Sequence, residues 1–216
     1  MNITEKELLE LREKIKSSPD ISEKRRAHTL AVEDMAIRLG NLYCPEKLPV
    51  LRAAALLHDI TKEYKAERHI EICEAHGHTP ERDELYAPKT FHARTAAYLI
   101  PSLYPEFADP EVISAVRWHT TGREGMTLTE KLIYLADYID ESRKFPDCVT
   151  LRHAFFDAEP EKMDMEARLS HLRDVLIISY NMTISSLLED GKLISRQTVL
   201  ALNELICEKL TATKEV

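Results

Sequence analysis

Arg52–Lys62 reads RAAALLHDITK. Ala53, Ala54, Ala55, Leu56 and Leu57 make an almost unbroken apolar run, and His58 and Asp59 follow without a spacer. A helix this apolar on every side belongs inside a protein. An imidazole and a carboxylate at its end are costly there unless something pairs them. A metal ion would, because neutral imidazole and carboxylate are both ligands for divalent transition metals. The plainer alternative is a core helix whose last turn reaches water. Only the other ligand-type residues of the chain can decide between the two.

The chain has 216 residues, of which 44% are hydrophobic and 31% charged. That suits a globular protein with a real core, expected as one domain over 1–216. Its centre is expected over about 22–140, with C-terminal helices over 150–211 packed on it. The net charge of −8 argues against a general nucleic-acid binder. It leaves room for a small anionic substrate held by a metal and local cations. No apolar run has the length of a membrane span and the first residues do not resemble a signal peptide, so a cytoplasmic location is expected. Cys44, Cys73, Cys148 and Cys207 are far apart, without CxxC pairing, and read as reduced thiols.

Apolar residues recur at three and four positions and only five glycines occur, which predicts an all-α fold. Helices are expected over Glu5–Lys16, Ser22–Leu39 with Gly40-Asn41 as its stop, and from Pro49 to His58. Further helices are expected over Lys65–Ala75, from Pro88 to a break at Pro101, and over Pro110–His119. Thr129–Ile139, Thr150–Phe156, an unbroken Pro160–Glu189 and Ser195–Leu210 follow, ahead of a frayed tail. Thr79–Ala87 reads as a loop or one short turn.

Several of these helices each place a ligand-type group near an apolar stripe: His28, His92, His119 and Asp137, besides His58-Asp59. Taken singly, His28 could be a core-edge histidine, His92 a surface residue and His119 a cation at a helix C-terminus. Asp137, among Leu132, Leu135, Ala136 and Ile139, needs a partner. Helices packed side by side can bring such groups to one centre.

The order His28, His58-Asp59, His92, His119, Asp137 resembles the HD superfamily of metal-dependent phosphohydrolases. The two histidines between the pair and the last aspartate look like its dinuclear subset. RRAHTLAVEDMAIRLG, AALLHDITK, FHARTAAYLI, AVRWHTTGREGMTLTEKLIYLADYIDESRKF and LISRQTVLALNELI resemble the bacterial symmetrical bis(5′-nucleosyl)-tetraphosphatases of that superfamily (the YqeK family). The resemblance runs over about Lys24–Leu210. It implies an HD-type helical bundle with two divalent metal ions, iron first, with manganese, cobalt or zinc as alternatives. His28, His58, Asp59 and Asp137 would hold one ion, and Asp59, His92 and His119 the other, with Asp59 bridging. It implies hydrolysis of diadenosine tetraphosphate to ADP by a metal-activated hydroxide.

Lys62 completes an HDxxK spacing and is expected to contact phosphate, with Asp59 as its catalytic companion. Arg143 offers a guanidinium fork suited to phosphate, and Arg25 is a weaker candidate. Thr120, Thr121 and Gly122 could present hydroxyl and backbone donors to a phosphate or ribose, or merely end a helix. The expected substrate-contacting set is therefore Lys62, Arg143, Thr120 and Thr121, beside His28, Asp59, His119 and Asp137. Tyr86 or Phe91 could stack on adenine, although Phe91 suits ordinary core packing better. His69, His76, His78, His153 and His171 fit no ligand position. Two alternatives remain: another nucleotide phosphohydrolase of the superfamily, such as a nucleotidase or phosphodiesterase, or a non-catalytic nucleotide-binding regulator. The oligomeric state stays open, a homodimer included.

Overall fold

A computed structural model describes residues 3–212, and among them there are helices and turns but no strand. The tail expected to fray therefore falls largely outside the described residues. Helix α3 (Leu48–Leu57) is the hub. Leu51 and Ala53–Leu57 are all 0% exposed, because the C-terminal half of α3 is enclosed by its neighbours. It packs against α1 (Glu5–Ser17), α2 (Glu23–Tyr43), α7 (Pro110–Trp118) and α8 (Leu128–Ile139). The small alanines let these neighbours approach closely. Each fully buried leucine contributes about 1.5–3 kcal/mol.

On one flank, α4 (Ala66–Ala75) and α6 (Phe91–Leu103) pack on each other, α6 also packs on α7, and the short α5 (Arg82–Tyr86) precedes α6. On the other, α9 (Pro146–Phe156), α10 (Met165–Glu189) and α11 (Arg196–Ala212) pack together, with α9 resting on α8 and α10 on α2. Most of the buried apolar residues form one contiguous cluster, from Ile3 to Leu205. None of the described helices is long and apolar enough to cross a membrane.

Helix starts follow local chemistry. Ser22 accepts from the Arg25 N–H, and Thr4 and Thr127 form reciprocal capping boxes with Glu7 and Glu130, satisfying otherwise orphaned amides. Three expected boundaries are corrected. Gly40 does not stop α2, which runs on to Tyr43. A Cβ there would lie 2.7 Å from side-chain atoms of both Leu48 and Leu51, so the glycine permits α3 to approach. Pro101 does not end α6, which continues for two more residues to Leu103; the ring removes a single i→i−4 bond. The stretch from Pro160 to Glu189 is broken. A 3-10 turn over Pro160–Lys162 precedes α10, whose N-cap Asp164 accepts from the Ala167 N–H.

Candidate metal centre

His58 and Asp59 lie in the turn that leaves α3. His28 comes from α2, His92 from the start of α6, His119 from the end of α7 and Asp137 from α8. His58, His28, His92 and Asp137 are each flanked by a neighbour that is fully buried or nearly so: Leu57, Thr29, Ala93 and Ala136.

Backbone contacts fix the histidine tautomers. Nδ1 of His58, His92 and His119 lies 2.6, 2.8 and 2.7 Å from the carbonyl oxygens of Ala55, Lys89 and Val116. A carbonyl only accepts, so each Nδ1 carries the proton and each Nε2 presents a lone pair to the centre. Nε2 of His92 and His119 then face each other at 3.0 Å, two lone pairs that repel unless a cation stands between them. Nε2 of His28, Nε2 of His58 and Oδ1 of Asp59 are buried without a hydrogen-bond partner, an arrangement native proteins avoid unless something absent from the chain satisfies it. The residues present fit divalent metal.

Asp59 stands between two donor groups. Its Oδ2 is 3.4 Å from His58 Nε2 and 3.7 Å from His28 Nε2. Its Oδ1 is 3.2 Å from His92 Nε2 and 3.7 Å from His119 Nε2. Asp137 Oδ1 completes the first group, 2.9 Å from His28 Nε2 and 3.8 Å from His58 Nε2. His58 is also close enough to His119 and Asp59 to join the second.

Charge is balanced locally. Burial alone would raise the Asp59 carboxyl, but His58, His119 and His92 hold it well below the usual carboxylate range. Asp137 is likewise held down against burial, by Arg143 and His28. Burial pushes His92 down to about 3, and lowers His119 too, leaving both as neutral donors. His28 moves the other way. Although burial opposes it, its contacts with Asp137 and Asp140 raise it to about 9, and the same carboxylates favour any cation at Nε2.

Lys62 Nζ is 3.7 Å from Asp59 Oδ1 and 2.9 Å from His92 Nε2, at the edge of the second group. Thr120 Oγ1 is 3.1 Å from His92 Nε2. Arg143 binds Asp137 twice, Nη2 to Oδ1 and Nε to the carbonyl oxygen, both at 2.5 Å. Arg25 donates to Asp59 Oδ2. Thr121 stands apart. Its hydroxyl donates to the Gly122 carbonyl and its own carbonyl accepts from Thr198, so it ties the turn to α11. Phe91 is 2% exposed and Tyr86 70%; Phe91 packs on His69 and leaves too little free surface for a base to stack on. The remaining histidines have partners elsewhere, such as His69 with Thr95 and His78 with Glu84.

Two supporting residues were not singled out in the sequence. Asp140 is 0% exposed. Its Oδ1 accepts from the Ser142 N–H at 2.8 Å, and its Oδ2 lies 3.3 Å from both His28 Nδ1 and Arg143 Nε, without the alignment of a full hydrogen bond. It backs His28 as carboxylates commonly back ligand imidazoles. Thr61 donates to the His92 carbonyl at 2.9 Å, tying the α3 exit turn to α6. The spacing of Asp137 and Asp140, one helical turn apart, was the available signal for the first; nothing in the sequence marked the second.

The HD-domain family model matches residues 25–142, a span that holds all six candidate ligands and Asp140. The chain belongs to the HD-domain family. This HD protein is 33% identical over 193 residues to a symmetrical bis(5′-nucleosyl)-tetraphosphatase of Halalkalibacterium halodurans, covering 88% of this chain and 94% of that one. Over 126 residues it is 34% identical to the Bacillus subtilis protein of the same name, covering 58% and 66%. A solved structure from Clostridium acetobutylicum, described as a predicted HD superfamily hydrolase involved in NAD metabolism, superposes with a TM-score of 0.78. The two are 31% identical, with 92% of this chain and 96% of that one covered. The all-α architecture, the HD-family hydrolase assignment and divalent metal binding expected from the sequence therefore stand.

Proposed function

We propose that this HD hydrolase cleaves dinucleoside polyphosphates, diadenosine tetraphosphate first among them, to give ADP. Its two metal ions would be held by His28, His58, Asp59 and Asp137 on one side and Asp59, His92 and His119 on the other. The observation that carries the reading is the two-faced Asp59, with one oxygen toward each donor group and cations at both edges. The names of the relatives at 33–34% identity point the same way. Imidazole-rich sets suit iron, manganese, cobalt or zinc better than magnesium, and iron is the first choice.

Two divalent ions in such a site supply a water-derived nucleophile at neutral pH and compensate charge on phosphoryl oxygens. The chain's residues do the rest. Lys62, at the edge of the second group, meets a phosphoryl oxygen of the chain being cut. Arg25 and Arg143, each already on a carboxylate of the centre, turn their remaining N–H groups to neighbouring phosphates. Thr120 offers a hydroxyl beside His92. These cations compensate negative charge accumulating on the departing ADP, where it is worth most, in a partly water-excluded site. Thr61 and Asp140 hold His92 and His28 in place.

The test is product analysis on anaerobically purified protein with its metal content measured. Two ADP per diadenosine tetraphosphate supports the reading. AMP with ATP, or turnover confined to monophosphates, overturns it. NAD belongs in the substrate panel, given how the Clostridium acetobutylicum relative is described.

A further inference from the structure

A groove of about 600 Å³ opens beside the first donor group, with His28 among its lining residues. Five cations line it, Lys24, Arg25, Lys62, Arg143 and Lys144, and none of its described lining residues is acidic. In a chain of net charge −8 this is a local reversal of sign. Three of the cations contact the carboxylates of the centre: Arg25 and Lys62 meet Asp59, and Arg143 meets Asp137. The other two are free of carboxylates. Lys144 Nζ donates only to the Glu141 carbonyl, and Lys24 has no ion-pair partner among the described residues. The groove thus runs from cations engaged at the centre to cations with nothing to neutralise them, as a chain of phosphates would require.

An aromatic ring also lines this groove. Phe145 is 65% exposed and is its one large exposed apolar side chain. Its backbone is fixed. Pro146 restricts the residue before it, and the Phe145 carbonyl accepts from the Val149 N–H at 3.0 Å. Arg152 pins the preceding segment, donating to the carbonyls of Ile139 at 2.7 Å and Arg143 at 3.0 Å. An exposed ring on a rigid rim, between lysines, loses little entropy when a flat partner covers it. The volume is in the range of small-ligand sites, about 300–1,000 Å³.

Resting on the proposed dinucleotide reading, we infer that Phe145 is the stacking platform for one nucleobase of the substrate. Lys24 and Lys144 flank its phosphates, and Arg25, Lys62 and Arg143 lead them to the centre. This puts the base contact at Phe145, not at the aromatic candidates Tyr86 and Phe91. A ring reads the π-face, which every base has, so the subsite accepts adenine and guanine alike and selects nucleotide over bare polyphosphate.

The test is calorimetric binding of ADP, GDP and inorganic pyrophosphate to protein of measured metal content, wild type against Phe145→Ala and Phe145→Trp. Phe145→Ala is expected to weaken ADP and GDP about tenfold, within what a base–aromatic stack contributes, and to leave pyrophosphate unchanged. Phe145→Trp is expected to bind ADP at least as tightly as wild type, with tryptophan fluorescence quenched by ADP and not by pyrophosphate. The inference is overturned if Phe145→Ala binds ADP like wild type, or loses ADP and pyrophosphate equally. Hydrolysis separates it from the reading beneath it. Tetraphosphate turnover with Phe145→Ala silent in binding sinks the inference alone. The expected binding pattern without tetraphosphate turnover sinks the substrate assignment alone, and no nucleotide binding at all sinks both.

Discussion

Replacing Asp59 by asparagine keeps the shape of the side chain and removes one charge from the middle of the centre. Asp59 is 4% exposed and contacts Arg25, Lys62 Nζ at 3.7 Å and four imidazoles between 3.2 and 3.7 Å. Unit charges 3.7 Å apart interact by roughly 4.5 kcal/mol at an effective dielectric near 20. An amide is cheaper to bury than a carboxylate, which recovers part of that loss. The net cost to the metal-free protein is about 3 kcal/mol, the low end for breaking a buried pair. At about 2–4 °C per kcal/mol for a chain of this size, the melting temperature falls by about 6–12 °C.

The metal readout is more specific. Asp59 is the residue whose two oxygens face different donor groups, so its loss weakens both. Asp137 touches the first group only. Elemental analysis after anaerobic reconstitution is expected to show two metals per chain in wild type, about one in Asp137→Asn and less than one in Asp59→Asn. Turnover in Asp59→Asn is expected to fall about 10²–10³-fold, the scale of losing a preorganised charge-stabilising group. Asp137→Asn should lose less stability than Asp59→Asn, because Asp140 remains 3.3 Å from Arg143. Equal metal content in the two variants, or two metals retained in Asp59→Asn, would refute the bridging assignment.

Other outcomes follow from the same contacts. Gly122 has φ +64°, and a Cβ there would sit 1.9 Å from Tyr180 Oη; Gly122→Ala should cost about 2–4 kcal/mol in denaturant unfolding, and Tyr180→Phe in the same chain should recover part of it. Glu33 is 0% exposed and holds Arg12 and Arg52; Glu33→Gln should lower stability by about 3 kcal/mol while metal content stays at the wild-type value. Burial raises the hydroxyls of Tyr43, Tyr134 and Tyr180 above their ordinary value, so each is protonated when folded and ionises more readily unfolded. Their contribution is complete below about pH 10 and is lost as pH rises through the raised folded values; Tyr134→Phe should make the alkaline fall in stability shallower by one proton.

The parts of this molecule legible in the sequence are those whose cause is local. α3 could be read from its alanines and leucines because a helix apolar all round has one place to go. His28, His92, His119 and Asp137 could be read because each breaks an apolar stripe. What stayed hidden depends on residues distant in sequence. Gly40 looks like a helix stop until α3 crosses it, and Leu48 and Leu51 fill the space a side chain would need. Thr61 looks like an ordinary turn residue until α6 brings the His92 carbonyl to its hydroxyl. Arg143 suggests a free phosphate fork, whereas folding commits part of it to Asp137. Phe145 gave no signal at all, since one exposed phenylalanine matters only once α2 sets Lys24 and Arg25 across from it.

A shared rule connects the sealed helix to the open groove. His58, His92 and His119 each spend Nδ1 on the carbonyl three residues earlier, so the backbone of each segment sets both the tautomer and the direction of Nε2. A donor fixed this way is only as precise as the segment that carries it. His58 hangs from the fully buried end of α3, Ala53–Leu57, and His92 is tied to the same turn through Thr61. His28 lacks a backbone anchor of this kind. Its Nδ1 faces Asp140 Oδ2 and the Ser142 hydroxyl at 3.4 Å, and both belong to the segment that continues through Arg143 to Phe145. The wall of the groove and the support of one ligand are thus the same few residues. Substrate seated on Arg143 and Phe145, as proposed, would therefore bear on the centre through Asp140 and His28, and not through the donors held by α3 and Thr61.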